Sequence, residues 1–151
     1  MDKVELQQRT KKFAIDIIKL SEALPTGRAI NILLNQLLRS SSSVGANYRS
    51  ACKGKSTNDF INKIVITEEE ADECVYWLEL RQESGLVEND NILILKNEAK
   101  ELTAIFTAIG KTAKENQRNS KNNSINSKLN IRNSKFKTVA RRPYRPCAMA
   151  G

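Results

Sequence analysis

The sequence predicts an all-α protein: an antiparallel, up-down-up-down four-helix bundle followed by a disordered, basic C-terminal tail. Three observations carry that prediction. Apolar residues recur at intervals of three and four along four separate stretches, the spacing of one helix face. Chain breakers are scarce, six glycines and three prolines in 151 residues, too few for the many turns of an all-β fold. Charge is also unevenly placed. Residues 1–110 carry fourteen Lys/Arg against sixteen Asp/Glu, whereas residues 111–151 carry eleven Lys/Arg and a single acid, Glu115. The net charge of +8 therefore belongs to the end of the chain.

The first helix is expected from about Asp2 to Leu24, with Leu6, Phe13, Ile17, Leu20 and Leu24 on one stripe. Pro25-Thr26-Gly27 ends it, because proline cannot continue a helix and glycine frees the backbone to turn. The second helix is expected over about Arg28 to Lys53, on a stripe of Ile30, Leu33, Leu34, Leu37, Leu38, Ser41, Val44, Gly45, Tyr48, Ala51 and Cys52. Gly54 supplies its stop. A third follows Ser56-Thr57-Asn58-Asp59, where Ser56 or Thr57 can cap free N–H groups and an acid favours the first turn. Its seam reads Phe60, Ile64, Thr67, Ala71, Cys74 and Leu78, and Gly85 marks its end. The fourth starts near Asp90. Its residues Ile92, Leu95, Ala99, Leu102, Phe106, Ile109 and Ala113 alternate steps of three and four, the heptad seam of near-parallel, knobs-into-holes packing.

Beyond about Glu115 the composition turns to Asn, Ser and Lys, and Asn-Ser-Lys recurs at residues 119–121, 126–128 and 133–135. Apolar residues are sparse there and Asn is a poor helix former, so disorder is the expectation. The domain plan is thus a bundle over residues 1–115 and a tail over 116–151.

Several function classes are disfavoured. No run of about 18 apolar residues exists, so no membrane span is expected. The charged start Met1-Asp2-Lys3-Val4-Glu5 leads straight into helical periodicity, unlike a signal peptide. Cys52, Cys74 and Cys147 show no CxxC spacing, which fits reduced thiols in a cytoplasm. Histidine is absent altogether, which removes the commonest general base and the usual zinc ligand. The expectation is a protein that is not an enzyme, with no cofactor, no metal and no small-molecule substrate.

Several motifs have plainer readings than the chemistry they suggest. Lys53-Gly54-Lys55-Ser56 contains the GKS of a phosphate-binding loop, but Arg49 stands where that loop needs glycine and a helix precedes it, so a helix–helix link is preferred. The acids Glu68, Glu69, Glu70, Asp72 and Glu73 point about 100° apart on successive residues and diverge, so they read as a solvated face. Ser40-Ser41-Ser42-Ser43-Val44-Gly45-Ala46 reads as close packing of a neighbouring helix or subunit. Folding the second and third helices back on each other sets Arg39 opposite Glu70, either as a partly buried ion pair that specifies register or as two solvated side chains. Ile61, Val65, Tyr76 and Leu80 form a second apolar stripe on the third helix, read either as an oligomer interface or as a widened core.

The run Arg39, Ser43-Val44-Gly45-Ala46-Asn47-Tyr48-Arg49, with Ser56, Asp59-Phe60, Lys63, Glu70-Ala71 and Tyr76-Trp77-Leu78-Glu79-Leu80, resembles the four-helix bundle family first described from intervening sequences of bacterial 23S rRNA genes. The similarity spans about residues 6–115. The resemblance implies a homopentamer around a central channel, no enzymatic activity, and kinship with accessory proteins of diversity-generating retroelements, which bind nucleic acid and a reverse transcriptase. Members commonly carry Glu after the Tyr-Arg pair; here Ser50 stands there. The leading expectation is a scaffold binding RNA or DNA non-specifically. Its candidate contacts are Arg49, Lys53, Lys55 and Lys63 near the second turn, and Arg132, Lys135, Lys137, Arg141, Arg142 and Arg145 in the tail. The alternative is a protein–protein adaptor with no nucleic-acid role.

Overall fold

The computed structural model describes residues 1–25, 27–85 and 90–139, with side-chain surroundings given through residue 129. It holds four α-helices: α1 (Lys3–Ala23), α2 (Arg28–Ala51), α3 (Thr57–Glu83) and α4 (Asp90–Val139). No strand occurs among the described residues. Contacts group the chain into two units, Met1–Lys114 and Glu115–Gly151.

Within the first unit each helix begins and ends for a local reason. Asp2 caps α1 through a capping box, in which its carboxylate accepts from Glu5 N at 2.8 Å and Glu5 accepts from Asp2 N at 3.2 Å. Leu24 is already extended, as a residue before proline must be. At the α2–α3 link, Gly54 N donates to Ala51 O at 2.9 Å and Ser56 Oγ accepts from Asp59 N at 3.1 Å, which caps α3. Gly85, at φ +63°, takes the left-handed turn that ends the third helix.

The core follows the predicted seams with two informative departures. On α4, Ile92, Leu95, Ala99, Leu102 and Phe106 are buried, and the Phe106 ring meets Tyr48 of α2 at 5.2 Å between centroids. The buried face of α2 includes Ser40 and Ser41, whose hydroxyls bond back to Gln36 O (3.0 Å) and Leu38 O (3.2 Å) and so leave no orphan donor. On α3 the face is wider than the sequence seam. Ile61, Val75 and Arg81 join Ile64, Thr67, Ala71, Cys74 and Leu78, while Phe60 sits half-buried at the rim.

The change of character at Glu115 appears in burial rather than in the backbone. The backbone of residues 116–139 is helical as part of α4. Asn and Ser cost a helix only a few tenths of a kcal/mol each, and extending a formed helix is far easier than starting one. No glycine or proline interrupts residues 111–142. Serine hydroxyls bond locally, Ser120 Oγ to Asn116 O and Ser127 Oγ to Asn123 O, both at 2.9 Å. Residues 118–129 are nevertheless all exposed, as their composition requires. Among the described residues no helix is long and apolar enough to cross a membrane.

Candidate functional site

The cations singled out near the α2–α3 turn gather at one end of the bundle. Arg49, Lys53 and Lys55 are exposed and Lys63, in the second turn of α3, is half-buried. None of the four is in an ion pair among the described residues. Gly54 allows the tight link between them: a Cβ there would lie 2.9 Å from Asp59 Oδ2 and 3.0 Å from Ala51 O. The same geometry argues against a phosphate cradle. Lys53 N and Gly54 N are spent on Ser50 O and Ala51 O, at 3.0 and 2.9 Å, and the Ser56 hydroxyl caps α3.

A second basic surface lies on the exposed part of α4. Arg118, Lys121, Ile125 and Lys128 recur at intervals of three, four and three, which sets them on one helical face, and all are exposed. The helical backbone carries Arg132, Lys135 and Lys137 onward, though their side chains lie outside the described residues, as do Arg141, Arg142 and Arg145 altogether.

Arg39 and Glu70 come together on antiparallel α2 and α3. Arg39 Nη1 lies 3.3 Å from Glu70 Oε1, and Nη2 donates to Glu73 Oε1 at 2.5 Å. Glu73 also accepts from Trp77 Nε1 at 3.0 Å. Burial pushes the Glu73 carboxyl up, but the hydrogen bonds from Arg39 and Trp77 outweigh it and hold the group below the usual range. The Arg39 side chain is 52% exposed, so solvent screens the pair and its contribution to stability is small. The rest of the acidic run diverges. Glu68 accepts from Thr107 Oγ1 at 2.6 Å, while Glu69 and Asp72 face solvent. Among the described residues no three Asp, Glu or Cys side chains converge as a metal site would need.

Within the second apolar stripe, Ile61 goes with the widened-core alternative. Ile61 is only 8% exposed within its own chain, so it has almost nothing to offer a second copy. It follows Phe60 at the start of α3, and the helix rotates Ile61 inward where the sequence reading had turned Phe60 in. Val65 and Leu80 are half-buried. Tyr76 alone of the four is widely open, at 53%, with its ring 5.0 Å from Trp77.

Two features were missed. Arg9 of α1 makes a bidentate pair with Glu98 of α4, at 2.7 and 2.8 Å, and also bonds Glu101. The hydrogen bond to Glu98 is the main cause that raises its pKa. The second is a groove of about 610 Å³ between α1 and α2, lined by Lys11, Ile15, Ile18, Ser42, Gly45 and Arg49 among others. Ile15 and Ile18 stand off the α1 seam of Phe13, Ile17 and Leu20, so periodicity gave them no inward signal. Their exposure is the anomaly.

Comparison with known proteins agrees with this architecture. The family model described as 23S rRNA-intervening sequence protein matches residues 2–108. A crystal structure from Bacteroides thetaiotaomicron VPI-5482, described as a protein with unknown function from the S23 ribosomal protein family, is similar at 32% identity and a TM-score of 0.67. The match covers 74% of this chain and 99% of that one. No curated protein matches.

Proposed function

Because the chain belongs to the 23S rRNA-intervening sequence protein family, we propose that it is a non-enzymatic cytoplasmic scaffold that assembles with copies of itself, as a pentamer, and binds RNA or DNA without base preference. The observation that carries this reading is the segregation of charge: residues 111–151 hold eleven cations and one acid, and Arg118, Lys121 and Lys128 stand exposed on one face of α4. A helical row of unpaired cations neutralises phosphates at fixed intervals and reads no sequence, because phosphates carry none. Assembly multiplies such rows and makes individually weak contacts effective together. Arg49, Lys53, Lys55 and Lys63 supply secondary contacts at the bundle end.

An electrophoretic shift assay with mixed RNA and DNA, run from low to physiological salt, tests the proposal. Replacing Arg118, Lys121 and Lys128 by Gln is expected to lower the slope of log affinity against log salt by about 2 to 3. Deleting residues 116–151 is expected to remove most binding. Unchanged affinity at physiological salt after that deletion refutes the assignment. Light scattering tests assembly, which requires a particle about five times the 17.0 kDa chain.

The exposed Ile15 and Ile18 beside the α1–α2 groove favour a second reading, a protein–protein adaptor. A purified protein that assembles yet shifts no nucleic acid even at low salt selects it.

A further inference from the structure

Arg81 lies in the last turn of α3, three residues after Leu78, and points into the core. It is 2% exposed, and Nε, Nη1 and Nη2 have no hydrogen-bond partner among the described residues. A guanidinium is protonated at any ordinary pH and brings five donors in a planar fork. Burial lowers its pKa, and no carboxylate among the described residues offsets it. Such a group is the costliest content a core can have unless a counter-charge accompanies it. It cannot reach water by extending its stem, since all three nitrogens are themselves buried.

Its surroundings favour negative charge. Carrying the Arg39–Glu70 pairing along antiparallel α2 and α3 brings Arg81 level with Arg28, the first residue of α2. That helix starts on Gly27 with no side-chain cap and no acid in its first turn, so its N-terminal N–H groups and dipole are uncompensated from within. The apolar residues of the adjoining turns, Leu24, Ile30 and Leu78, are 8%, 9% and 0% exposed.

We infer that Arg81 is the anchor of a small-oxyanion site at the α2-start, α3-finish end of the bundle, taking a phosphate or a carboxylate by bidentate hydrogen bonding. The fork geometry matches two oxygens of such an anion, which a halide does not provide. The depth of the guanidinium excludes the backbone of a nucleic-acid strand, so this site is separate from the cationic surfaces of the proposed function and does not depend on them.

Thermal unfolding of the full chain, wild type and Arg81→Met, decides the matter in potassium chloride, phosphate and acetate at matched ionic strength. The wild-type midpoint is expected to rise saturably, by roughly 5 °C once the anion is tenfold above its Kd. Arg81→Met should be flat in all three salts and should unfold at a higher temperature than wild type in chloride. A rise with phosphate alone identifies a phosphoryl source, and one with acetate alone a carboxylate; either supports the site. An equal rise in both proteins, or none with either anion, overturns it. Should Arg81→Met fail to fold, the ³¹P linewidth of phosphate and the ¹H linewidth of acetate titrated with wild type decide instead: broadening of either supports the site, and two unchanged lines overturn it.

Discussion

Replacing Gly45 by Ala is expected to stabilise this protein, although Gly45 stands in a row of small residues at a helix–helix contact. Gly45 is half-buried in the middle of α2. A Cβ built there would lie 3.7 Å from the Thr10 carbonyl oxygen and 3.8 Å from Thr10 Oγ1, ordinary contact distances. The Thr10 hydroxyl is already turned back to Leu6 O and Gln7 O, at 3.1 Å each, so no hydrogen bond is disturbed. What remains is the backbone term, in which Ala favours a helix interior over Gly by about 1 kcal/mol. The new methyl adds a few weak dispersion contacts of about 0.1–0.2 kcal/mol each. The sum is about 1 kcal/mol, which raises the midpoint by roughly 3–6 °C for a bundle of this size. Thermal and urea unfolding followed by circular dichroism measure it, and Gly54→Ala is the control. There the new Cβ would lie 3.0 Å from a backbone oxygen and 2.9 Å from Asp59 Oδ2, and a loss of about 1 kcal/mol is expected. A Gly45→Ala midpoint at or below wild type would refute the reasoning, since it would mean that α1 and α2 approach more closely than these distances allow.

Two further outcomes follow from the polar clusters. In a double-mutant cycle of Arg9→Met and Glu98→Gln, the bidentate pair, 28% exposed on both sides, should show a coupling of about 1 kcal/mol at low salt and less at high salt; a coupling indistinguishable from zero rejects it. Glu73 has a carboxyl held below its ordinary value by Arg39 and Trp77, so its contribution is present above the ordinary carboxylate range and fades as pH falls through the lowered value. Glu73→Gln should therefore lose less stability between pH 5 and pH 3 than wild type does, and parallel curves would dispose of that assignment.

The helices were legible in the sequence because their cause is local. The seam from Ile92 to Phe106 has no choice of face, and Ser56 is followed three residues later by the N–H it caps. The Arg39–Glu70 register was legible because a short link between antiparallel helices leaves one offset. Arg9 and Glu98 were not, since their meeting depends on how all four helices close, across three links. Arg81 could have been found: it extends the spacing of Cys74 and Leu78 by three, and a charge at a seam position is itself a signal. The continuation of α4 through Val139 goes with the absence of any breaker in residues 111–142, which per-residue preference alone does not show. Ile61 against Phe60 is a choice between adjacent apolar residues, and periodicity alone cannot make it.

That continuation has a consequence for how such a chain can change. Seven residues of α-helix advance about 10.5 Å and fall short of two full turns by roughly 20°. The units at residues 119–121, 126–128 and 133–135 sit on one unbroken helix at that period. Adding or removing one seven-residue unit therefore changes the length of that helical stretch by about 10.5 Å and leaves the bearing of following residues nearly unchanged.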